Sequence, residues 1–257
     1  MKKILHILLI TFFSFTIISC AQINTLKDDL GSKYDDLSSG SDETAETESE
    51  APTAIAEGTR PLFVSVGSSG TIIISSNGTK WTRSSSGTKV KLRAVTYGND
   101  AFVAVGFSGT ILTSSDGNKW TKRKSGTSVE FNEVIYANDS FLAFGFKGVI
   151  STSSNGKLWT KIKSGTRMGL LGGTHGDATF IAVGNAGNII TSPDGNKWTK
   201  SKVGTKKHLR GVTYGDGKFV MVGNAGTILT SPEANTWTKS KSGTSRHLRR
   251  VFFKLIK

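Results

Sequence analysis

The chain has 257 residues, a formal net charge of +14, 36% hydrophobic residues, 30 Gly and 4 Pro. A single cysteine excludes an intramolecular disulfide framework and a cysteine-cluster zinc site, and four histidines argue against a multi-histidine metal centre. The total charge hides a division: residues 21–57 hold ten acids and two bases, whereas residues 58–257 hold 29 bases and nine acids.

Lys2 and Lys3 open a signal-like start, and an apolar run follows from Ile4 to Ile18. It is short for a membrane span and ends in small residues, as an export signal does. Its end, Ile17-Ile18-Ser19-Cys20, resembles the lipobox of bacterial lipoproteins. In that family the chain is cleaved before the cysteine and the thiol carries a diacylglycerol. The resemblance therefore implies a signal peptide over residues 1–20 and lipidation at Cys20. Two or three acyl chains would make the anchor permanent, since one holds only marginally. Ala21 follows the cysteine, where an aspartate would imply inner-membrane retention, so the resemblance favours the outer membrane, on its periplasmic side or at the cell surface.

Residues 21–57 are rich in Ser, Thr, Asp and Glu and poor in large apolar residues. Such a segment cannot bury enough surface to fold and is expected to be a disordered acidic tether. As a flexible coil it would span roughly 30–35 Å.

From residue 58 onward the chain repeats. Trp81, Trp120, Trp159, Trp198 and Trp237 stand 39 residues apart, and Gly67, Gly106, Gly145, Gly184 and Gly223 keep the same period. One unit, read from Leu209, is LRGVTYGDG, KFVMVG, NAGTILTSPEA and NTWTKSKSGT. Val, Ile, Thr, Phe and Trp dominate, with turn residues every 8–10 positions and no helical period. Asn77-Gly78, Asp116-Gly117, Asn155-Gly156 and Asp194-Gly195 are strong hairpin signals between strands three and four; Glu233-Ala234 is a degenerate copy. Four antiparallel strands per ~40 residues is the blade of a β-propeller. The expected fold is all-β: a five-bladed β-propeller over residues 58–257. The first copy lacks its own strand one, and Leu248 to Phe253 match strand one of the other copies. The C-terminal strand is therefore expected to complete blade one, giving a closed monomer with no orphan sheet.

The segments Ser114 to Trp120 and Ser192 to Trp198 resemble the Asp-box, or BNR-type, repeat of sialidases, one residue shorter and without its Thr. Such repeats also occur in photosystem II assembly factors. The resemblance implies that strand one lines a central channel and strand four lies outermost. The loops from strand four to the next strand one then share a top face with the two-to-three turns. Those loops carry Lys89, Lys91, Arg93, Arg167, Lys206, Lys207, His208, Arg210, Arg246, His247 and Arg249, offset only by Glu130. Positive charge nested at a channel mouth attracts polyanions. Strand four carries Arg83, Lys122 with Lys124, Lys161 with Lys163, Lys200 with Lys202 and Lys239 with Lys241; these alternate along an edge strand, where lysines blunt sheet edges.

Catalysis by a sialidase-like hydrolase is disfavoured. The body has nine acids, most of them in turns, and glycoside hydrolysis needs a carboxylate pair or an equivalent nucleophile. The expected function is that of a non-catalytic envelope lipoprotein. Its basic face would bind an acidic glycan, lipopolysaccharide or an acidic protein surface, without cofactor or metal. A scaffold or assembly factor for envelope proteins is the alternative. Nucleic acid is not expected outside the cytoplasm.

Overall fold

The computed structural model describes residues 62–256. Cys20, the signal peptide, the acidic stretch 21–57 and the boundary at residue 58 lie outside the described residues. None of the helices among the described residues is long and apolar enough to cross a membrane.

The described strands form five antiparallel sheets, each made of consecutive strands. Blade two is Leu92–Gly98, Ala101–Gly106, Ile111–Ser114 and Thr121–Arg123; blade three is Phe131–Ala137, Ser140–Gly145, Ile150–Ser153 and Thr160–Ile162. Blade four is Leu170–Gly176, Thr179–Gly184, Ile189–Ser192 and Thr199–Ser201, and blade five is Leu209–Gly215, Lys218–Gly223, Ile228–Ser231 and Thr238–Ser240. Blade one has three strands: Phe63–Val66, Ile72–Ser75 and Thr82–Ser84.

The second strands are apolar almost throughout because both their faces are covered by neighbouring blades. Val103 and Val105 of blade two face blade three and pack with Phe131 and Phe141. The intervening Ala104 joins Ile72 of blade one. The same alternation continues through Leu142 and Phe144 against Leu170 and Phe180, and through Ile181 and Val183 against Phe219 and Met221. The core thus lies between blades, each fully buried Phe contributing about 1.5–3 kcal/mol. Five sheets stacked face to face in chain order make a β-propeller.

The outer hairpins explain why Ser, Asp or Asn, Gly and Trp recur. Asp116 Oδ1 accepts the N–H of Asn118 at 2.9 Å and of Lys119 at 3.0 Å. Ser114 Oγ accepts the Gly117 N–H at 2.8 Å, and Trp120 Nε1 donates to Gly117 O at 2.8 Å. Asp194 and Trp198 repeat the arrangement. Asn77 and Asn155 do the same with an amide oxygen. In blade five, Glu233-Ala234 replaces the acceptor and the glycine, and Trp237 Nε1 is buried with no hydrogen-bond partner among the described residues.

The C-terminal segment takes the strand-one place beside blade five but forms no ladder with Phe63–Val66. It contacts blade five and the inner strand of blade three. Leu248 N–H donates to Gly223 O at 2.9 Å, Arg249 O lies over Gly211, and Arg250 pairs with Glu133 of blade three. In blades two, three and five a Tyr of the inner strand meets a Phe of the second strand at 4.7 Å. Phe253 and Phe63 make no such contact, and both are exposed, Phe63 by 51%. Among the described residues, no ladder joins the two ends that the sequence places side by side.

Candidate functional site: the cationic channel mouth

Four of the five four-to-one loops are held by their own Ser and Thr; the loop before blade five has Val203 in place of the serine and keeps only the bond from the Lys207 N–H to Thr205 Oγ1. Ser86 Oγ bonds both N and O of Thr88, and Thr88 Oγ1 accepts the Val90 N–H at 3.1 Å. The pattern recurs at Ser125-Thr127, Ser164-Thr166 and Ser242-Thr244. The loops lie on the two-to-three turns so closely that a Cβ on Gly70, at φ +67°, would stand 1.9 Å from Thr88 O. Only glycine fits there. The next residues are therefore presented from a rigid frame.

The frame turns into strand one through a β-bulge. The ladder of blade two skips Arg93, passing from Leu92↔Gly106 to Ala94↔Val105; blade five skips Arg210 in the same way. A bulge leaves one residue unpaired and re-aims its side chain. Here it re-aims two arginines, each of which has a support on the following turn. The Arg93 guanidinium lies 4.7 Å from the Phe107 ring centroid, with Lys91 Nζ at 5.6 Å. Arg210 Nε donates to Asn224 Oδ1 at 2.5 Å. Phe107 and Asn224 occupy the same position of the repeat, so two different chemistries support one placement. Arg249 is the third arginine in phase, on the C-terminal segment. Blades three and four carry Asn132 and Leu171 at this position; Asn132 Nδ2 donates to Leu170 O at 2.8 Å. The cationic arc is therefore one-sided, running over blade five, the C-terminal segment and blade two.

The structure redistributes several expected members of this site. Lys91, Arg93, Lys206, Lys207, Arg210, Arg246 and Arg249 belong to the arc, and among the described residues none of them is in an ion pair, whereas Lys89 lines a cleft beside the outer strand of blade one. His208 and His247 are each engaged through one ring nitrogen. Their Nδ1 atoms accept the backbone N–H of Ala186 at 3.0 Å and of Ala225 at 3.1 Å, so they pin each loop to the turn of the preceding repeat. Arg167 lies apart, in a cleft between blades three and four shared with Lys161, Lys163 and Lys200. The strand-four lysines are thus not all dispersed around the rim. His175 packs on Phe180 at 4.2 Å, and burial holds its pKa below the usual value. Glu133, with Glu130, is one of the two acids of the body that lie outside the turns. Burial raises its pKa, and the guanidinium of Arg250 partly offsets that. Glu133 and Arg250 occupy the same repeat position, where the other copies have Ala94, Gly172 and Gly211. Two complementary exceptions in one phase were the signal that they meet. No group of three or more His, Cys, Asp or Glu able to hold a metal occurs among the described residues.

Residues 87–208 match the family model described as the DUF6242 beta propeller domain. That match runs from the loop before blade two to the loop before blade five. Among solved structures the chain is similar to YCF48 bound to D1 peptide, at 17% identity with a TM-score of 0.58. It covers 72% of this chain and 64% of that one. It is also similar to YCF48 from Cyanidioschyzon merolae, at 19% identity with a TM-score of 0.52, covering 64% of this chain and 60% of that one. The WD40 beta propeller domain of Doa1 is similar at 14% identity with a TM-score of 0.51, covering 72% and 63%. The chain thus spans less than two thirds of each of these structures, and the likeness is one of fold. No curated protein sequence matches.

Proposed function

We propose that the protein is a non-catalytic scaffold or assembly factor that grips an acidic segment of a partner protein at the channel mouth. The observation that carries this reading is the one-sided arc of bulge-positioned arginines, supported by Phe107 and Asn224 and free of ion pairs among the described residues. Cations held in advance lose little freedom when an anion arrives, and their potentials add at a mouth. A propeller of similar fold, YCF48, has been solved with a D1 peptide bound, which favours a protein partner over a glycan. By its resemblance to the lipobox, Cys20 carries the lipid that anchors the propeller in the bacterial envelope, with residues 21–57 as the tether.

The test compares two fourfold substitutions with equal charge change: Lys91, Arg93, Lys207 and Arg210 to Glu, against Lys122, Lys124, Lys239 and Lys241 to Glu. Binding of a labelled poly-glutamate peptide and of a heparin fragment is measured at several salt concentrations. The mouth variant is expected to lose at least about tenfold more affinity for the peptide, ~1.4 kcal/mol. Equal losses would mean that diffuse charge drives binding and would remove the site. A loss confined to heparin would assign the mouth to glycans. Separately, Cys20→Ser is expected to abolish palmitate labelling; labelling that persists would refute the anchor.

A further inference from the structure

The cleft between blades three and four has a volume of about 840 Å³, within the range of ligand sites, and lies apart from the mouth. One wall is the outer strand of blade three, Thr160–Ile162, which is the free edge of its sheet. The rim carries Lys161, Lys163, Arg167 and Lys200, all exposed and, among the described residues, without an ion pair. Its lining also holds Ile162 and Met168, the latter 48% exposed. The lining contains no carboxylate and no aromatic ring.

The repeat itself explains why the cleft opens here. In blade one, Ser84 Oγ donates to Asn118 O of blade two at 2.9 Å, and Ser85 makes a backbone bridge to Lys119. In blade four, Ser201 Oγ donates to Ala234 O of blade five at 3.3 Å. These bonds tie an outer strand to the next blade. At the same repeat position blade three has Ile162, which has nothing to donate. The equivalent cleft at blade one, with both ties made, is smaller, at about 350 Å³.

We propose that this cleft is a second docking site, for an acidic peptide segment of a partner protein that carries an aliphatic side chain among its carboxylates. The charge selects the carboxylates. Ile162 and Met168 supply an apolar contact that a sulfated or uronic glycan cannot use, and the absence of aromatic faces disfavours stacked bases. The free edge of Thr160–Ile162 offers main-chain bonds to an extended chain. The site rests on the same general reading, a binder of acidic protein segments, but shares no residue with the arc at the mouth.

The probe is a labelled dodecapeptide of Glu with one central Leu, together with its Leu→Ser version, titrated into the full chain. Lys163→Glu with Arg167→Glu is expected to weaken the Leu peptide at least about tenfold, while Lys91→Glu with Arg93→Glu weakens it less than about threefold. The Ser peptide is expected to bind about fivefold more weakly than the Leu peptide, and that ratio is expected to fall to near one in the cleft variant. Ile162→Ser, which restores the tie to the next blade, is expected to weaken the Leu peptide as well. Unchanged melting curves show that each variant is folded. Equal binding of the Leu and Ser peptides, or a loss confined to the mouth variant, overturns the cleft while leaving the mouth reading intact. If a chain lacking residues 21–57 binds the Leu peptide tenfold more tightly, the occupant is the chain's own acidic segment and the partner assignment falls.

Discussion

Gly176 ends the inner strand of blade four beneath the ring of Tyr214 from blade five. A Cβ added there would stand 2.2 Å from Tyr214 Cγ and 2.5 Å from its Cβ. These atoms lie next to the backbone and cannot swing aside, so Gly176→Ala forces a strand or a blade to shift. Overpacking of this kind costs about 1–3 kcal/mol, and the upper half applies because the clash is with near-backbone atoms. The backbone at Gly176 is not in the left-handed region, so the methyl otherwise suits the strand. For a body of this size, 2–3 kcal/mol is a drop of about 5–10 °C in Tm. The repeat supplies the rescue. At the same junction one blade earlier, Ala137 stands for the glycine and His175 for the tyrosine. Tyr214→His in the Gly176→Ala background should therefore recover about 1 kcal/mol, a coupling within the range for residues in contact. Urea unfolding followed by tryptophan fluorescence measures it, with a constant m showing that only stability changed. An alanine variant within about 0.5 kcal/mol of the parent, or strictly additive double-variant effects, would refute the interlocking of Gly176 and Tyr214.

Acid should act on alternate blades. Backbone N–H groups of Lys119 and Asn118, with Ser114, hold Asp116 below the usual carboxylate range, and those of Lys197 and Asn196 do the same for Asp194. A depressed folded pKa gives stability that is present above about pH 4 and is lost as pH falls through the folded value. Asp116→Asn with Asp194→Asn should flatten stability between about pH 4 and pH 2, read from melts across that window; an unchanged slope would mean that these turns do not couple to folding. Glu133 has the opposite sign. Its raised pKa gives stability that is complete below about pH 4.3 and declines as pH rises through the folded value. Arg250→Ala should therefore cost more at pH 7 than at pH 4. The expected loss at pH 7 is about 1–3 kcal/mol, less than for a fully buried pair because Arg250 is 62% exposed. Glu133→Gln in the same chain should restore most of it, and a pH-independent loss would count against an ionised Glu133.

Most of the architecture was legible because the repeat makes each blade a copy of its neighbours. The Trp period marked the blades, and Asp116-Gly117 and its equivalents marked the outer hairpins. The basic character of the top-face loops followed from Lys89, Lys91, Lys206 and Lys207. What escaped was whatever depends on contacts between repeats. The bulge that re-aims Arg93 and Arg210 is a matter of ladder register, invisible in composition. His208 looked like a surface cation because its acceptor role needs the N–H of Ala186, from the preceding blade. Ile162 looked like one more strand residue until its place was compared with Ser84 and Ser201. The expected seam is the instructive difference. Phe253 carries the right residue type and phase, yet its segment is anchored at Gly211, Gly223 and Glu133 and, among the described residues, forms no ladder with blade one.

The outer turn of blade one bears on how the protein ages. Asn followed by Gly is the sequence most prone to spontaneous deamidation, in which the glycine nitrogen attacks the asparagine side chain to close a succinimide ring. In the folded turn both partners are engaged: Gly78 N–H points to Ser75 Oγ at 2.8 Å, and Asn77 Oδ1 is held by the N–H groups of Thr79 and Lys80. Ring closure must wait for the turn to open. Ring opening yields either an aspartate, which blades two and four already use here, or an isoaspartate, whose extra backbone atom no blade accommodates. The one-dalton mass gain at Asn77 is thus a slow clock, recording how often blade one comes undone over the lifetime of the molecule.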